Sequence, residues 1–146
     1  MGDRDGELAR SKVSGCDRAE GFELNGLDPE QRAPLVAWAD LVISMLPARF
    51  HPEVARDCIR YKTNLITPSY ISEEMKSIEQ EAIDAGIIIM NEIGVDPGID
   101  HMSAKKILDE IELEGGKMHI FESFTGGRVA PESDDNPWNY KFTWNP

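Results

Sequence analysis

The chain has 146 residues, 40% of them hydrophobic and 29% charged, with 15 basic against 27 acidic side chains for a net charge of −12. That length and balance suit one ordinary domain with a real core, and the acidic surplus excludes nucleic acid and anionic membrane surfaces as natural partners, because phosphates would be repelled. No apolar run approaches the roughly 20 residues that span a bilayer, and MGDRDGELAR lacks the apolar core of a signal peptide. Cys16 and Cys58 stand without CxxC spacing, and His51, His101 and His119 without ligand spacing. Free thiols in a cytoplasmic protein are therefore expected, with no metal site.

In chain order, FELN (22–25) reads as a short strand. Asp28 then offers an N-cap, Pro29 the first helical position and Gln31 the third residue after the cap, a full helix-start signal. LVISMLP (41–47) is a continuous apolar run, as a strand buried on both faces requires. HPEVARDCIRYKT places Val54, Ala55, Cys58 and Ile59 on one helical face, and NLIT (64–67) is another strand. Ile71, Met75, Ile78 and Ala82 recur at helical steps up to Gly86, which closes that helix. IIIMN (87–91) is again fully apolar. This alternation predicts a parallel, doubly wound α/β sheet with right-handed crossovers.

Ligands of such sheets bind beyond the carboxyl ends of the strands, which directs attention to SMLPARFHP, TPSYIS and EIGVDPGIDH. Beyond residue 96 the pattern changes. Pro97 to Glu114 reads as one longer helix with Ala104, Ile107, Leu108 and Ile111 on its apolar side, ended by Gly115-Gly116. KMHIFESF (117–124) alternates as a strand of a second, more antiparallel domain would. The tail GGRVAPESDDNPWNYKFTWNP is rich in turn formers and aromatics and has no period. No GxGxxG occurs anywhere, although a dinucleotide-binding sheet opens on one; the pattern by itself is an incomplete α/β sheet.

DLVISMLPARFHPEVARDCI, TPSYIS, MNEIGVDPGIDHMSAKKILDE and SFTGGRVAPESDDNPWNYKFTW, in this order and spacing, resemble the glutamate-forming saccharopine dehydrogenases from about Asp40 to Pro146, with a weaker continuation back to Asp3. The resemblance implies an incomplete Rossmann-like domain over residues 1–92, followed over 93–146 by the beginning of an α+β substrate and dimerisation domain. The first strand, glycine loop and first helix would precede Met1, so that the chain spans about the middle third of a family member. It implies an oxidoreductase of lysine metabolism using NADP(H). NADPH would reduce the imine of glutamate and α-aminoadipate semialdehyde to saccharopine, and the reverse reaction would oxidise saccharopine. A homodimer is implied as well, through a surface largely outside this chain. Two other readings stay open: a related amino-acid or polyamine reductase of the same superfamily, and a non-catalytic fragment.

On that mapping Asp3 and Arg4 stand where the adenosine ribose and its 2′-phosphate are read, Arg4 being suited to a phosphate. Ser44, Leu46 and Pro47 form the loop under the nicotinamide ribose, although Leu46 and Pro47 equally suit a plain strand terminus. Ser69 is a candidate for the nicotinamide carboxamide or for satisfying its own loop. Tyr70 is a candidate for catalysis, cofactor and substrate contacts, or an aromatic covering the sheet edge. Asp96, followed by Pro97, is the first candidate for the proton transfers of imine reduction and for cofactor and substrate contacts; the alternative is a helix N-cap. Thr125, Gly126 and Gly127 are substrate candidates. Family members carry a cysteine where Thr125 stands, so thiol chemistry is not expected here. Glu132, Ser133, Asn136, Tyr140 and Lys141 are candidates for a polar pocket wall, and Trp138, Tyr140, Phe142 and Trp144 equally for core or interface aromatics.

Overall fold

The computed structural model describes residues 1–124, 126–127 and 129–141. They divide into two compact units, Met1–Ile107 and Leu108–Pro146. In the first, strands β1 (Gly2–Asp3), β2 (Phe22–Glu23), β3 (Leu41–Ile43), β4 (Asn64–Ile66) and β5 (Ile89–Met90) alternate with helices α1 (Gly6–Val13), α2 (Pro29–Trp38), α3 (His51–Tyr61), α4 (Glu73–Ser77) and α5 (Glu79–Ala85). All ladders are parallel, as the alternation predicts. The strands form two separate ladders, β1-β2 and β3-β4-β5.

Helix α1 is absent from the pattern reading because it is short and mostly polar. Asp5 starts it, its carboxylate accepting from the backbone N–H of Glu7 and Leu8 at 3.0 and 2.9 Å. Gly21 lets the chain return close against it: a Cβ there would meet the Ala9 backbone at 2.5 Å. Helix α2 starts as its signal predicts, Asp28 accepting from Glu30 N–H. Gln31, however, donates to the Asp28 carboxylate and accepts from Asn25 N–H at 3.0 Å, so it fastens the preceding loop rather than reaching back to the cap N–H.

Val36, Val54, Ala55, Cys58, Leu65, Met75 and Ile78 form the core. Leu65, on the central strand, is fully buried, a contribution of roughly 1.5–3 kcal/mol for a side chain of that size. In register, Val42, Leu65 and Ile89 share the covered sheet face. The opposite face is bare: Leu41 is 45% and Ile43 63% exposed, and Ile88 and Met90 are exposed too. Burial of β3 and β5 on both faces is thus corrected. Strands laid down in the sequential order β3-β4-β5 with right-handed crossovers carry their connecting helices to one face only.

The single helix expected from the Ile71, Met75, Ile78 and Ala82 repeat up to Gly86 is two, beginning only at Glu73 and broken at Ile78 (φ −99°, ψ 7°). Ser77 Oγ donates to the Glu74 carbonyl at 2.7 Å, a local bond that competes with helix continuation. Gly86 closes α5 in the left-handed conformation. The last helix, α6 (Ile99–Leu113), begins two residues later than expected. Gly94 and Gly98 pair across a tight loop that carries Asp96 and Pro97 ahead of it.

In the second unit a turn follows Leu113, the last residue of α6, and there Gly115 N–H donates to Glu112 O. Residues 117–124 form no strand, correcting that expectation. Alternation supplies a face, but a ladder also needs a neighbour to exchange hydrogen bonds with, and no described segment provides one. Trp138 is 83% exposed, not a core residue; Phe142 and Trp144 lie outside the described residues. No described helix is long and apolar enough to cross a membrane.

Candidate functional site

The carboxyl ends of β3, β4 and β5 release three loops that hydrogen bonds bind into one rim. Ser44 N–H donates to Ile66 O and Thr67 N–H to Met90 O, each at 2.9 Å, extending the ladder one residue past the strands. Glu92 N–H then donates to Ser69 O and Ile93 N–H to Thr67 O, while Glu92 Oε1 accepts from Ile71 N–H at 3.3 Å. Gly94 lies against Pro68. The loop bearing Ser69 and Tyr70 is thereby fastened to the loop bearing Asp96 and Pro97.

Inside this rim sits a side chain that sequence reasoning passed over. His51, the first residue of α3, is 2% exposed. Its Nδ1 is 3.0 Å from Ser44 Oγ, and its Nε2 is 2.8 Å from Ser69 Oγ and 2.7 Å from Thr67 Oγ1. The α3 N-terminus packs under the sheet edge, which brings the ring between two strand ends. Burial lowers the pKa of His51, which favours the neutral ring. Just past the end of β5, Asn91 Oδ1 is buried without a hydrogen-bond partner among the described residues. A polar residue at the start of a helix that directly follows a strand-end loop was the available signal for His51; nothing in spacing links it to Thr67.

The rim accounts for Ser44, Ser69, Tyr70, Asp96 and Pro97. Ser44 is buried and Ser69 half-buried, both on His51. Tyr70 is 65% exposed, so it does not cover the sheet edge. Leu46 packs on the core and over Gly26, while Pro47 is exposed. Asp96 is exposed, and its carboxylate makes no hydrogen bond to a described residue. It accepts no N–H from the first turn of α6 among the described residues; instead Asp100, inside that turn, reaches back to accept Gly98 N–H at 2.9 Å. Asp100 also holds His101 Nδ1 at 2.8 Å. That hydrogen bond is the main cause of a raised His101 pKa, to which the negative charges of Asp96 and Glu92 add; the same bond lowers the pKa of Asp100. The loop after β5 is therefore an acidic rim around one histidine, an environment that suits a cationic amine.

Asp3 and Arg4 lie in the other ladder, at the carboxyl end of β1. Asp3 Oδ1 accepts Asp5 N–H at 2.9 Å, while the Arg4 side chain is exposed and has no ion pair among the described residues. Gly126 and Gly127 belong to the second unit, Gly127 beside Tyr140; Thr125 lies outside the described residues. There Asn136 donates to Tyr140 O at 3.0 Å, and Lys141 pairs with Asp135 at 2.8 Å. These bonds hold a local turn together, and Glu132 and Ser133 sit in its 3-10 segment.

Two family models match the chain in succession. The one described as "Saccharopine dehydrogenase NADP binding domain" covers residues 3–90, and "Saccharopine dehydrogenase C-terminal domain" covers residues 94–146. A Saccharomyces cerevisiae protein named saccharopine dehydrogenase [NADP(+), L-glutamate-forming] is 45% identical over 94% of this chain and 30% of its own length. The Bos taurus mitochondrial alpha-aminoadipic semialdehyde synthase is 46% identical over 83% of the chain and 13% of its own length. A solved apo structure of the histidine-tagged S. cerevisiae saccharopine dehydrogenase (L-Glu forming) matches with a TM-score of 0.72 at 42% identity, over 98% of this chain and 32% of that one. The chain thus spans about a third of the length of the yeast relative.

Proposed function

The chain belongs to the saccharopine dehydrogenase family, and from that premise we propose that it is the central portion of an NADP-dependent, glutamate-forming saccharopine dehydrogenase. The reaction is reduction of the imine between glutamate and α-aminoadipate semialdehyde to saccharopine, and its reverse. The observation that carries this reading is the rim at the carboxyl edge of β3-β4-β5, where hydrogen bonds join the loops of Ser44, Ser69-Tyr70 and Asp96. On this reading residues 1–92 are the cofactor-binding part and 93–146 the start of the substrate part, a division in keeping with the bounds of the two family matches.

The residues present fit NADP(H). In a dinucleotide-binding sheet the strand order is 3-2-1-4-5-6; ladders β1-β2 and β3-β4-β5 correspond to 2-3 and 4-5-6. Arg4, an exposed guanidinium at a strand end, suits a 2′-phosphate bidentately, with Asp3 beside it for the ribose. Ser44, Leu46, Pro47 and Ser69 serve the nicotinamide end. When bound, NADPH supplies the hydride. The chain's own groups hold the substrates: the exposed Asp96 carboxylate receives the substrate amine, or in its protonated form passes a proton to the nitrogen, and the exposed Tyr70 hydroxyl bonds a substrate carboxylate. Thr125, Gly126 and Gly127 are assigned to substrate binding on the family resemblance alone.

The same reading assigns lysine biosynthesis in the cytoplasm, as a homodimer without nucleic-acid or membrane partners; cell fractionation and sedimentation of a longer form test those parts. The reaction is tested by NADPH binding and saccharopine-dependent NADP+ reduction, with this chain and with a form extended to the length of the yeast relative. Turnover by the extended form is expected. An extended form that binds NADPH but ignores saccharopine would overturn the substrate assignment in favour of a related amino-acid or polyamine reductase. The bare apolar face of β3-β4-β5 favours a non-catalytic role for the 146-residue chain alone, and enzyme-like turnover by it would refute that.

A further inference from the structure

The cluster around His51 can be read by counting protons. A neutral imidazole has one N–H and one nitrogen lone pair, and each hydroxyl has one proton to give. Ser44 Oγ faces Nδ1, while Ser69 Oγ and Thr67 Oγ1 both face Nε2. Whichever ring nitrogen carries the proton, the other can accept from only one hydroxyl. If Nε2 is protonated, Ser44 donates to Nδ1, and the protons of Ser69 and Thr67 have no acceptor in the cluster. If Nδ1 is protonated, it donates to Ser44, and the lone pair of Nε2 takes one of its two hydroxyls. Two of three hydroxyl protons are left over either way.

Thr67 Oγ1 also accepts Ser69 N–H at 3.2 Å, so its oxygen is already engaged and its side chain is pinned in the core. Ser69 is half-buried and stands at the open end. Buried donors are normally satisfied, and the acceptor missing here is one that a ligand oxygen can provide. The orphaned Asn91 Oδ1 at the neighbouring strand end lacks a donor in turn.

The geometry points to His51 as a positioning residue: a neutral hub that fixes the Ser44 and Ser69 hydroxyls and aims the Ser69 proton at a carbonyl or carboxylate oxygen bound at the strand ends. The ring does not touch the ligand; it acts through Ser69. The assignment of that ligand to the cofactor–substrate pair rests on the function proposed above, whereas the hub itself does not.

Two measurements test it. In the 146-residue chain, 15N NMR of the imidazole is expected to show one neutral tautomer at pH 8, with protonation setting in only below 6.5. A ring that exchanges freely between tautomers, or that titrates near 6.5, overturns the hub. In the extended form, Ser69→Ala and His51→Gln are each expected to raise the Kd for NADPH or the KM for saccharopine about ten-fold, the change that loss of one hydrogen bond produces. The double variant should be little worse than either single one, because both break the same link. Effects that multiply in full, or a His51→Gln protein with unchanged Kd and KM, overturn the proposal. His51→Phe, with thermal melting alongside, separates collapse of the fold from loss of aim: His51→Gln should restore melting more than it restores ligand affinity. If the unsubstituted extended form lacks saccharopine turnover, the functional reading fails, and the hub is then decided by NMR and the NADPH cycle.

Discussion

Arg32 offers a sharp test of the fold, because its guanidinium joins α2 to α3 at the edge of the core. Nε donates to Asp57 Oδ2 at 2.6 Å and Nη1 to Gly26 O at 2.8 Å, with Glu53 at 3.8 Å. The Arg32 side chain is 9% exposed and that of Asp57 16%, so the cation is the member that cannot rehydrate. Removing Asp57 leaves a buried guanidinium with one neutral acceptor and a distant carboxylate, a loss of about 3 kcal/mol, at the lower end for breaking a buried pair. Arg32→Met keeps the apolar stem and leaves Asp57 to turn to water, a loss of about 1 kcal/mol. With a urea slope of about 1.5 kcal/mol/M, Asp57→Ala should lower the unfolding midpoint by roughly 2 M and Arg32→Met by well under 1 M. The double variant should recover about 2 kcal/mol relative to the sum of the single losses. An Arg32→Met protein less stable than Asp57→Ala, or a coupling below about 0.5 kcal/mol, would refute the asymmetry of burial on which the reasoning depends.

Burial pushes the Cys58 thiol up to about 12 while Cys16 is exposed; a thiol-reactive dye at pH 8 should label one cysteine in the native chain and two in urea, and rapid native labelling of both would contradict the core. His51 and His101 should titrate on opposite sides of 6.5 by NMR, His51 below through burial and His101 above through Asp100. Because folded His51 refuses a proton that the unfolded chain accepts below 6.5, its contribution to stability falls as pH drops through that value, with a slope of at most about 1.4 kcal/mol per pH unit; stability rising on acidification from pH 6.5 to 5.5 in a His101→Gln background would reverse the sign. Gly98 has φ +143°, and a Cβ there would meet Gly94 O at 2.3 Å, so Gly98→Ala should cost about 1–3 kcal/mol in thermal melting, and an unchanged Tm would show that the loop under Asp96 yields freely.

Much of the molecule follows from local rules. The Asp28 cap with Pro29, the apolar face of α3 and Gly86 at the end of α5 are decided within a few residues, and the sequence alone determined them. Strand-end motifs in fixed order likewise carry the family resemblance without coordinates. Helix α1 escaped because capping at Asp5 and contact with Gly21, rather than an apolar period, hold it. The strand expected at 117–124 failed for the converse reason, since its pattern is local but its partner would have to come from elsewhere in the chain.

At the site, sequence could nominate Ser69, Tyr70 and Asp96 as residues that follow strands, and Ser44 through the family resemblance, but it left Asp96 between cap and free carboxylate. Only tertiary structure decided that point, by starting α6 at Ile99 with Asp100 as the residue that bonds Gly98. It also decided which face of β3-β4-β5 is covered, since handed crossovers act between elements rather than within them. The same holds for His51, whose partners lie 7, 16 and 18 residues away along the chain. Hydrogen bonds over such separations leave no period in a sequence; they exist because parallel strands bring their carboxyl ends to one edge.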